Sequence, residues 1–550
     1  MKFRKLISLM LVFSMILSFA TACGKKTDDP DKDNKPATEN NNNNSDSGNN
    51  SNTGSDSSNT ASGPIEINVG YGTNWDTLTP FRSNIANNAP YAYILYESLA
   101  CLDENRNNVP WAAKSWKTDD NGFTYDIEIY DYITDSAGNK ITAADIVWMI
   151  EGAKTAAQKP SFSKVESVEQ TGDYTLRVKM ITDMVGAFDL LLRDTFVVSK
   201  AAYEASKDGF ATDVVSTSPY KLIKYVSDSE IDFEKRDDYW QTDESLIPKR
   251  MVARVDKVNY HIIKEASQMG IALETGDIDI ALEIDPNTGK QFEGNDDYTI
   301  QLSPQINGYQ LYFTGAPNRP CGEDKNLRQA ICYAIDADGI VTGALAGYGE
   351  AMHDVASNAL IGYLEKWKTE EYYPYNVDKA KELLAQSDYN GEELVILATS
   401  SSIMQRICQM IQSYLAQVGI NVKLNLVDMA LYTASRLDGT QYDMTLNTVG
   451  GGDLPSMWSI RFDSAAYKTG DATSRHDTVL DELLYKTWTP DGWTEENIDA
   501  VHQYLKENMY AYGMAQPKVM GIYSKKVNML EAVYTDRGAI EVTACKYAAK

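Results

Sequence analysis

An α/β fold built as more than one domain is what this sequence predicts. Residues 392–449 read strand, helix, strand, helix, strand, and residues 255–284 give a shorter β–α–β unit. From residue 65 to residue 550 the chain is too long for a single core.

The elements follow in chain order. "IEINVGYG" (65–72) alternates apolar and polar residues into a glycine, as a strand does, and "NGFTYDIEIY" (121–130) alternates likewise. "KITAADIVWMIEGAKTA" (140–156) changes to helical spacing. Thr142 and Asp145 make a capping box there, just ahead of the apolar stripe of Ile146, Val147 and Ile150. "YTLRVKM" (174–180) and "EIDFEKR" (230–236) are half-exposed strands, the second with Ile231 and Phe233 inward and Asp232 and Glu234 toward water. "VDKVNYHIIK" (255–264), a helix over "EASQMGIALETG" and "DIDIALEI" (277–284) complete a mixed α/β lobe over 65–305.

Further on, "EELVILATS" (392–400) is an apolar strand. The helix "SIMQRICQMIQSYLAQVG" carries Ile403, Ile407, Cys408, Ile411, Leu415 and Val418 at three- and four-residue intervals, with Gly419 as its stop. "INVKLNLVD" (420–428), a short helix in "ALYTASRLDG" and "YDMTLNTV" (442–449) follow. This order implies a parallel sheet with right-handed crossovers, and ligands of such sheets bind outside the carboxyl ends of the strands. The loop after the third strand, "GGGDLPSMW" (450–458), there offers backbone N–H groups at Gly451 and Gly452, an acid at Asp453 and an aromatic surface at Trp458. No internal repeat occurs at solenoid or propeller periods.

Lys2, Arg4 and Lys5 precede an uncharged run from Leu6 to Ala22 that ends in small residues, the pattern of an export signal. Its 17 residues fall short of the roughly 20 that a membrane span needs. Residues 24–64 hold no aromatic residue and no Leu, Ile, Val or Met. They are expected to be disordered, a tether or an inert spacer reaching on the order of 35 Å.

Against 51 basic residues stand 78 acidic ones, a net charge of −27 that becomes −30 once residues 1–22 and their three cations are removed. So acidic a chain argues against nucleic acid or anionic lipid as a partner. Six cysteines show no CxxC spacing. Apart from Cys23 they read as buried thiols, with one long-range bridge open, and neither a disulfide framework nor a zinc site is expected. No GxSxG, HExxH or GxxxxGK[ST] occurs, and the four histidines His261, His353, His476 and His502 stand apart from one another. An enzyme is the less favoured class, although a carboxylate pair of the glycosidase kind stays open to a chain so rich in acids. No cofactor is expected.

Several stretches in order resemble the extracytoplasmic solute-binding proteins of ABC importers, specifically the oligopeptide/dipeptide-binding family, family 5. They are "YILYESLACLDENRNNVPWAAKSWKTDDNGFTYDIEI" (93–129), "ITAADIVW" (141–148), "STSPYKLIKY" (216–225), "NLRQAICYAIDADGIVTGALAGYGEA" (326–351) and "YNVDKAKELLAQSDY" (375–389). The resemblance implies a two-lobed periplasmic-binding-protein-like fold with mixed sheets. Residues 65–305 plus 515–550 would form the first lobe, with an extra inserted subdomain near 100–215, and residues 306–514 the second. Hinged crossings would lie near Gln305–Tyr309 and Tyr512–Gln516. Cys23, directly after Ala20, Thr21 and Ala22, resembles the lipid-attachment cysteine of a bacterial lipoprotein, which makes 1–22 a signal peptide and 23–64 a lipid-anchored linker outside the cytoplasmic membrane.

The function so implied is capture of an oligopeptide or dipeptide by a monomer and its delivery to an ABC importer permease. Asp453 matches the aspartate that receives the ligand's α-ammonium, and a loop aspartate capping its own turn is the other reading. Trp75, in "GTNWDTLTPF", lies where first-lobe loops face the cleft or else packs in a core; Trp458 walls the pocket or packs the sheet end. The rival readings are an oligosaccharide in the same fold, which 34 tyrosines and nine tryptophans would suit, and a tethered cell-surface hydrolase or adhesin. With four scattered histidines a metal site made by the protein alone is poorly provided for.

Overall fold

Two mixed sheets, each with three parallel strands, organise the chain. They are seen in a computed structural model that describes residues 64–73, 77–81, 92–103, 107–119, 122–156, 160–181, 186–248, 251–303, 307–450, 453–466, 476–489, 491–529 and 545–547. The export run, Cys23, residues 23–63 of the linker, Trp75, Gly451 and Gly452 lie outside the described residues.

The first sheet has seven strands. Glu66–Tyr71 is its centre, parallel to Lys257–Ile262 on one side and to Ile280–Ala281 on the other. The helix Ala266–Thr275 links these two flanking strands and stops at Gly276, whose φ of 80° is left-handed. Antiparallel strands extend both sides: Glu230–Lys235 and Tyr220–Val226 on one, Met520–Ser524 and Tyr298–Leu302 on the other. Ile231 and Phe233 are buried as their alternation requires, while Asp232 and Glu234 are half-buried.

Between the first two strands of this sheet runs a segment with a four-stranded antiparallel sheet of its own, Ala113–Thr118, Thr124–Ile129, Thr175–Met180 and Val165–Gly172. Buried Arg236 donates to the carbonyls of Asp135, Ser216 and Ser218, so "STSPYKL" acts structurally, as backbone pinned by one guanidinium.

The second sheet holds the strand–helix pattern of 392–449. Leu394–Thr399 lies parallel to both Val422–Val427 and Met444–Gly450, with Ser402–Gln417 and Met429–Ser435 as the crossover helices. The three strands of the pattern run parallel, as their order implies, within a sheet that is mixed as a whole, as the two-lobed fold with mixed sheets requires. Met444–Gly450 pairs antiparallel with Asn307–Phe313, that strand pairs antiparallel with Ala511–Pro517, and Gly349–Ala351 closes the edge. These additional strands come from distant segments, and Ala511–Pro517 is buried at every position, so it carries no alternation to read. The chain passes from the first sheet to the second between Leu302 and Asn307 and returns between Pro517 and Met520. Separate apolar clusters fill the two bodies.

Candidate functional site: the cleft between the lobes

Parallel strands end on a common edge. In the first lobe that edge is marked by Tyr71, Ile262 and Ala281, and in the second by Thr399, Val427 and Gly450. The side chains that meet between the lobes come from the turns just beyond these ends, where loop and helix N-terminal groups are free of the sheet ladder.

After Ile280–Ala281 the chain turns sharply. Glu283 has a φ of 52°, a left-handed conformation that non-glycine residues seldom adopt. Its side chain is exposed, and it accepts a hydrogen bond from the Tyr71 hydroxyl at the end of the neighbouring strand. Burial raises this carboxyl to about 7, with the Tyr71 bond opposing. Two residues on, Asp285 caps the turn 286–289 by accepting from the Asn287 N–H at 3.0 Å.

Arg406, on the first turns of Ser402–Gln417 in the second lobe, reaches Asp285 with an Nη2–Oδ2 distance of 2.6 Å and also donates to the Ala344 carbonyl at 3.1 Å. Asn287 donates to that same carbonyl from the other side at 3.4 Å. Tyr309 lies among these groups: burial, then Asp285 and Glu283, raise its hydroxyl, and Arg406 opposes them. A polar recess of about 300 Å³ opens here, lined by Glu265, Asp285, Ser402 and Arg406 among others.

Asp453 follows the strand Met444–Gly450, opens the helix Leu454–Phe462 and is 3 % exposed. Its backbone bridges Ile361, and its carboxylate faces Gly186 of the inserted segment: a Cβ built on Gly186 would lie 2.7 Å from Asp453 Oδ2. Gly186 has a φ of 79° and caps the helix Ala187–Asp194, so the carboxylate lies at the positive end of a helix supplied by the opposite lobe. Nearby, the Lys164 ammonium of the inserted segment sits 5.0 Å from the ring centroid of Trp488 in the second lobe. Burial lowers the Lys164 pKa, and Asp463 opposes that. The lobes are thus closed on one another.

Of the residues singled out in the sequence, Asp453 alone is placed at this junction by described side-chain geometry. Trp458 is 1 % exposed within the second lobe's apolar cluster, where a tryptophan packing the sheet end belongs. Sequence reasoning passed over Gly186, Glu283, Asp285 and Arg406. Glu283 looked like a wet position of the alternating strand 277–284, Asp285 fell in the turn beyond it, and Arg406 looked like a polar position on an amphipathic helix. No signal in the chain itself pairs 285 with 406. Among the described residues no group of three or more His, Cys, Asp or Glu is placed to hold a metal. His502 is a buried core histidine stacked on Trp367 at 4.0 Å. Cys101, Cys321, Cys332 and Cys408 are buried thiols.

Residues 107–471, more than half of the chain, match the model of the bacterial extracellular solute-binding proteins, family 5 Middle. The chain belongs to that family. It is 25 % identical over 373 residues to the glutathione-binding protein GsiB of Escherichia coli O1:K1, which spans 66 % of this chain and 70 % of that one. Its fold is shared with the dipeptide-binding protein of Pseudoalteromonas sp. SM9913 in complex with Met-Leu, at a TM-score of 0.76 and 17 % identity over 88 % of this chain and all of that one. NikZ of Campylobacter jejuni, in complex with Ni(L-His), shares it at a TM-score of 0.73 and 20 % identity over 87 % of this chain and 99 % of that one. The two-lobed fold expected from the sequence is borne out. Family 5 proteins bind small solutes outside the cytoplasm and work with ABC permeases.

Proposed function

We propose that this chain captures an oligopeptide or dipeptide between its two lobes and hands it to an ABC importer permease. Asp453 is the observation that carries the reading. In this reading a carboxylate after a parallel strand's carboxyl end, buried where the opposite lobe arrives, would receive a ligand's α-ammonium as the lobes shut. Closure removes water from such a pair, which shortens and strengthens it. The neighbouring loop at Gly451 and Gly452 would pair with peptide main chain, and Trp75 would face the ligand from the first lobe. Trp458 would support the Asp453 turn from the core side. We take the lobes to be 65–305 with 515–550 and 306–514, and the protein to be a binder without catalytic groups of its own.

Asp453→Asn is expected to weaken peptide binding by on the order of a hundredfold to a thousandfold, because a buried ammonium left without its carboxylate costs about 3–5 kcal/mol. Titration calorimetry with a peptide panel, beside a melting curve to show the fold intact, reads this. Unchanged affinity removes Asp453 from the site. The cargo itself is open to direct test, since the same fold carries Ni(L-His) in NikZ: mass spectrometry of what co-purifies with the protein distinguishes peptide from chelate or sugar.

The N-terminal pattern supports export as a lipoprotein, with cleavage after Ala22, a lipid on Cys23 and a monomer tethered by residues 23–64 to the outer face of the cytoplasmic membrane. Cys23→Ala should abolish metabolic labelling by palmitate and release the protein from the membrane fraction. Labelling that survives the substitution rules Cys23 out.

A further inference from the structure

Three charged groups meet at the floor of the cleft near the chain crossings, and two of them cancel. Arg406 bonds Asp285 at 2.6 Å and so carries no spare charge for its neighbour. Glu283 is the third. Among the described residues its hydrogen-bond partner is the neutral Tyr71 hydroxyl, and no cation pairs with it. Its side chain is exposed, and it lies close enough to Tyr309 of the second lobe to raise that hydroxyl's pKa, which puts it on the side of the first lobe that faces the second. Its backbone is held at a φ of 52°, a conformation that costs free energy for a residue with a Cβ and persists only where its surroundings impose it. Tyr71 is fixed in turn, at the end of the central strand and 1 % exposed. A fixed carboxylate without a counter-ion, facing a solvent-filled cleft, fits a cation brought by the ligand.

We propose that Glu283 is the first lobe's recognition group for a cationic part of the ligand, a protonated amine or guanidinium such as a lysine or arginine side chain. The inference rests on the peptide-binding reading above and names the peptide class: peptides carrying a basic residue. Asp285 keeps Arg406 occupied, so Arg406 does not repel the incoming cation at full strength, and Tyr71 holds the carboxylate toward the cleft. The remaining groups facing Glu283 are the hydroxyls of Tyr71 and Tyr309, both raised in pKa and so neutral throughout the working range.

Burial holds the empty carboxyl near 7. An arriving cation lowers it, so binding near neutrality releases a proton, and affinity for a basic peptide rises with pH between 6 and 8.

The test uses the full-length protein and di- to pentapeptides in matched lysine and norleucine pairs, titrated at pH 6, 7 and 8 in two buffers of different ionisation enthalpy. The expected result is a preference of about tenfold or more for lysine, with proton release at pH 7. Glu283→Gln keeps an acceptor for Tyr71 and should erase both the preference and the proton release, while its melting curve stays close to that of the parent. Equal affinity within the pairs, or a preference that survives E283Q, overturns the role of Glu283 and leaves peptide binding standing. If no peptide binds, the peptide reading falls, and agmatine against its neutral isostere decides the rest by thermal shift. Stabilisation by agmatine that E283Q removes upholds Glu283 as a cation site; no stabilisation, or one that E283Q leaves intact, overturns it.

Discussion

The Arg406–Asp285 pair is the clearest single tie between the lobes. The Asp285 side chain is 8 % accessible and that of Arg406 29 %, so the pair is only partly screened by solvent. Removing the guanidinium leaves Asp285 with its own-turn Asn287 N–H and little water. Arg406→Gln is therefore expected to destabilise the closed, ligand-free form by about 1–3 kcal/mol and to raise its radius of gyration in solution scattering. An unchanged radius would mean that other contacts hold the lobes. Gly186 makes the same point from the other side of the cleft. Any side chain there meets both a left-handed backbone and the Asp453 carboxylate, so the approach of the two lobes depends on the absence of one Cβ.

At the scale of elements, the helix Ala143–Thr155 shows how far local rules reach. Asp145 Oδ2 accepts from the Thr142 N–H at 2.8 Å, completing the capping box, and its Oδ1 accepts from the Lys200 N–H at 2.9 Å, which ties in the start of Lys200–Ala205. Asp145→Ala should cost about 2 kcal/mol by melting while leaving ligand affinity alone, because the box is remote from the cleft in function. This box was legible because capping chemistry sits within four residues. So were the strand–helix–strand runs, whose periods of 2 and 3.6 are local properties. The strands Asn307–Phe313 and Ala511–Pro517 were not: they meet only in the folded second sheet, and burial on both faces removes their alternation. The cleft divides in the same way. Asp453 could be singled out through the family's loop pattern, whereas Glu283 is one acid among 78 until the fold withholds a counter-ion from it.

Across the whole molecule, charge and burial act together on stability. Burial raises the carboxyls of Glu97 and Asp354 to about 7 and lowers the His502 imidazole to about 3. Each of these acids holds its proton longer in the fold than in the unfolded chain, so its contribution is full below the unfolded pKa and is lost as pH rises toward 7. His502 works the other way: the unfolded imidazole takes up a proton below about 6.5 that the buried one refuses, so its contribution is full above that value and is lost as pH falls from there toward about 3. Two groups oppose one, and a net charge of −27 adds self-repulsion on the alkaline side. Scanning calorimetry of the ligand-free protein at fixed ionic strength should find the highest melting temperature near about pH 5 and a fall of several degrees by pH 8. A melting temperature that is flat or rising over that range would contradict the assignment. The layout of the first sheet has a further consequence, for biogenesis. Tyr298–Leu302 joins that sheet only through Met520–Ser524, and Glu66–Tyr71 finds its parallel neighbours only after the inserted segment has been made. A ribosome must therefore emit nearly all of the polypeptide before this half can finish folding. Until then the nascent chain stays unlocked, the state in which a secretion channel can thread it.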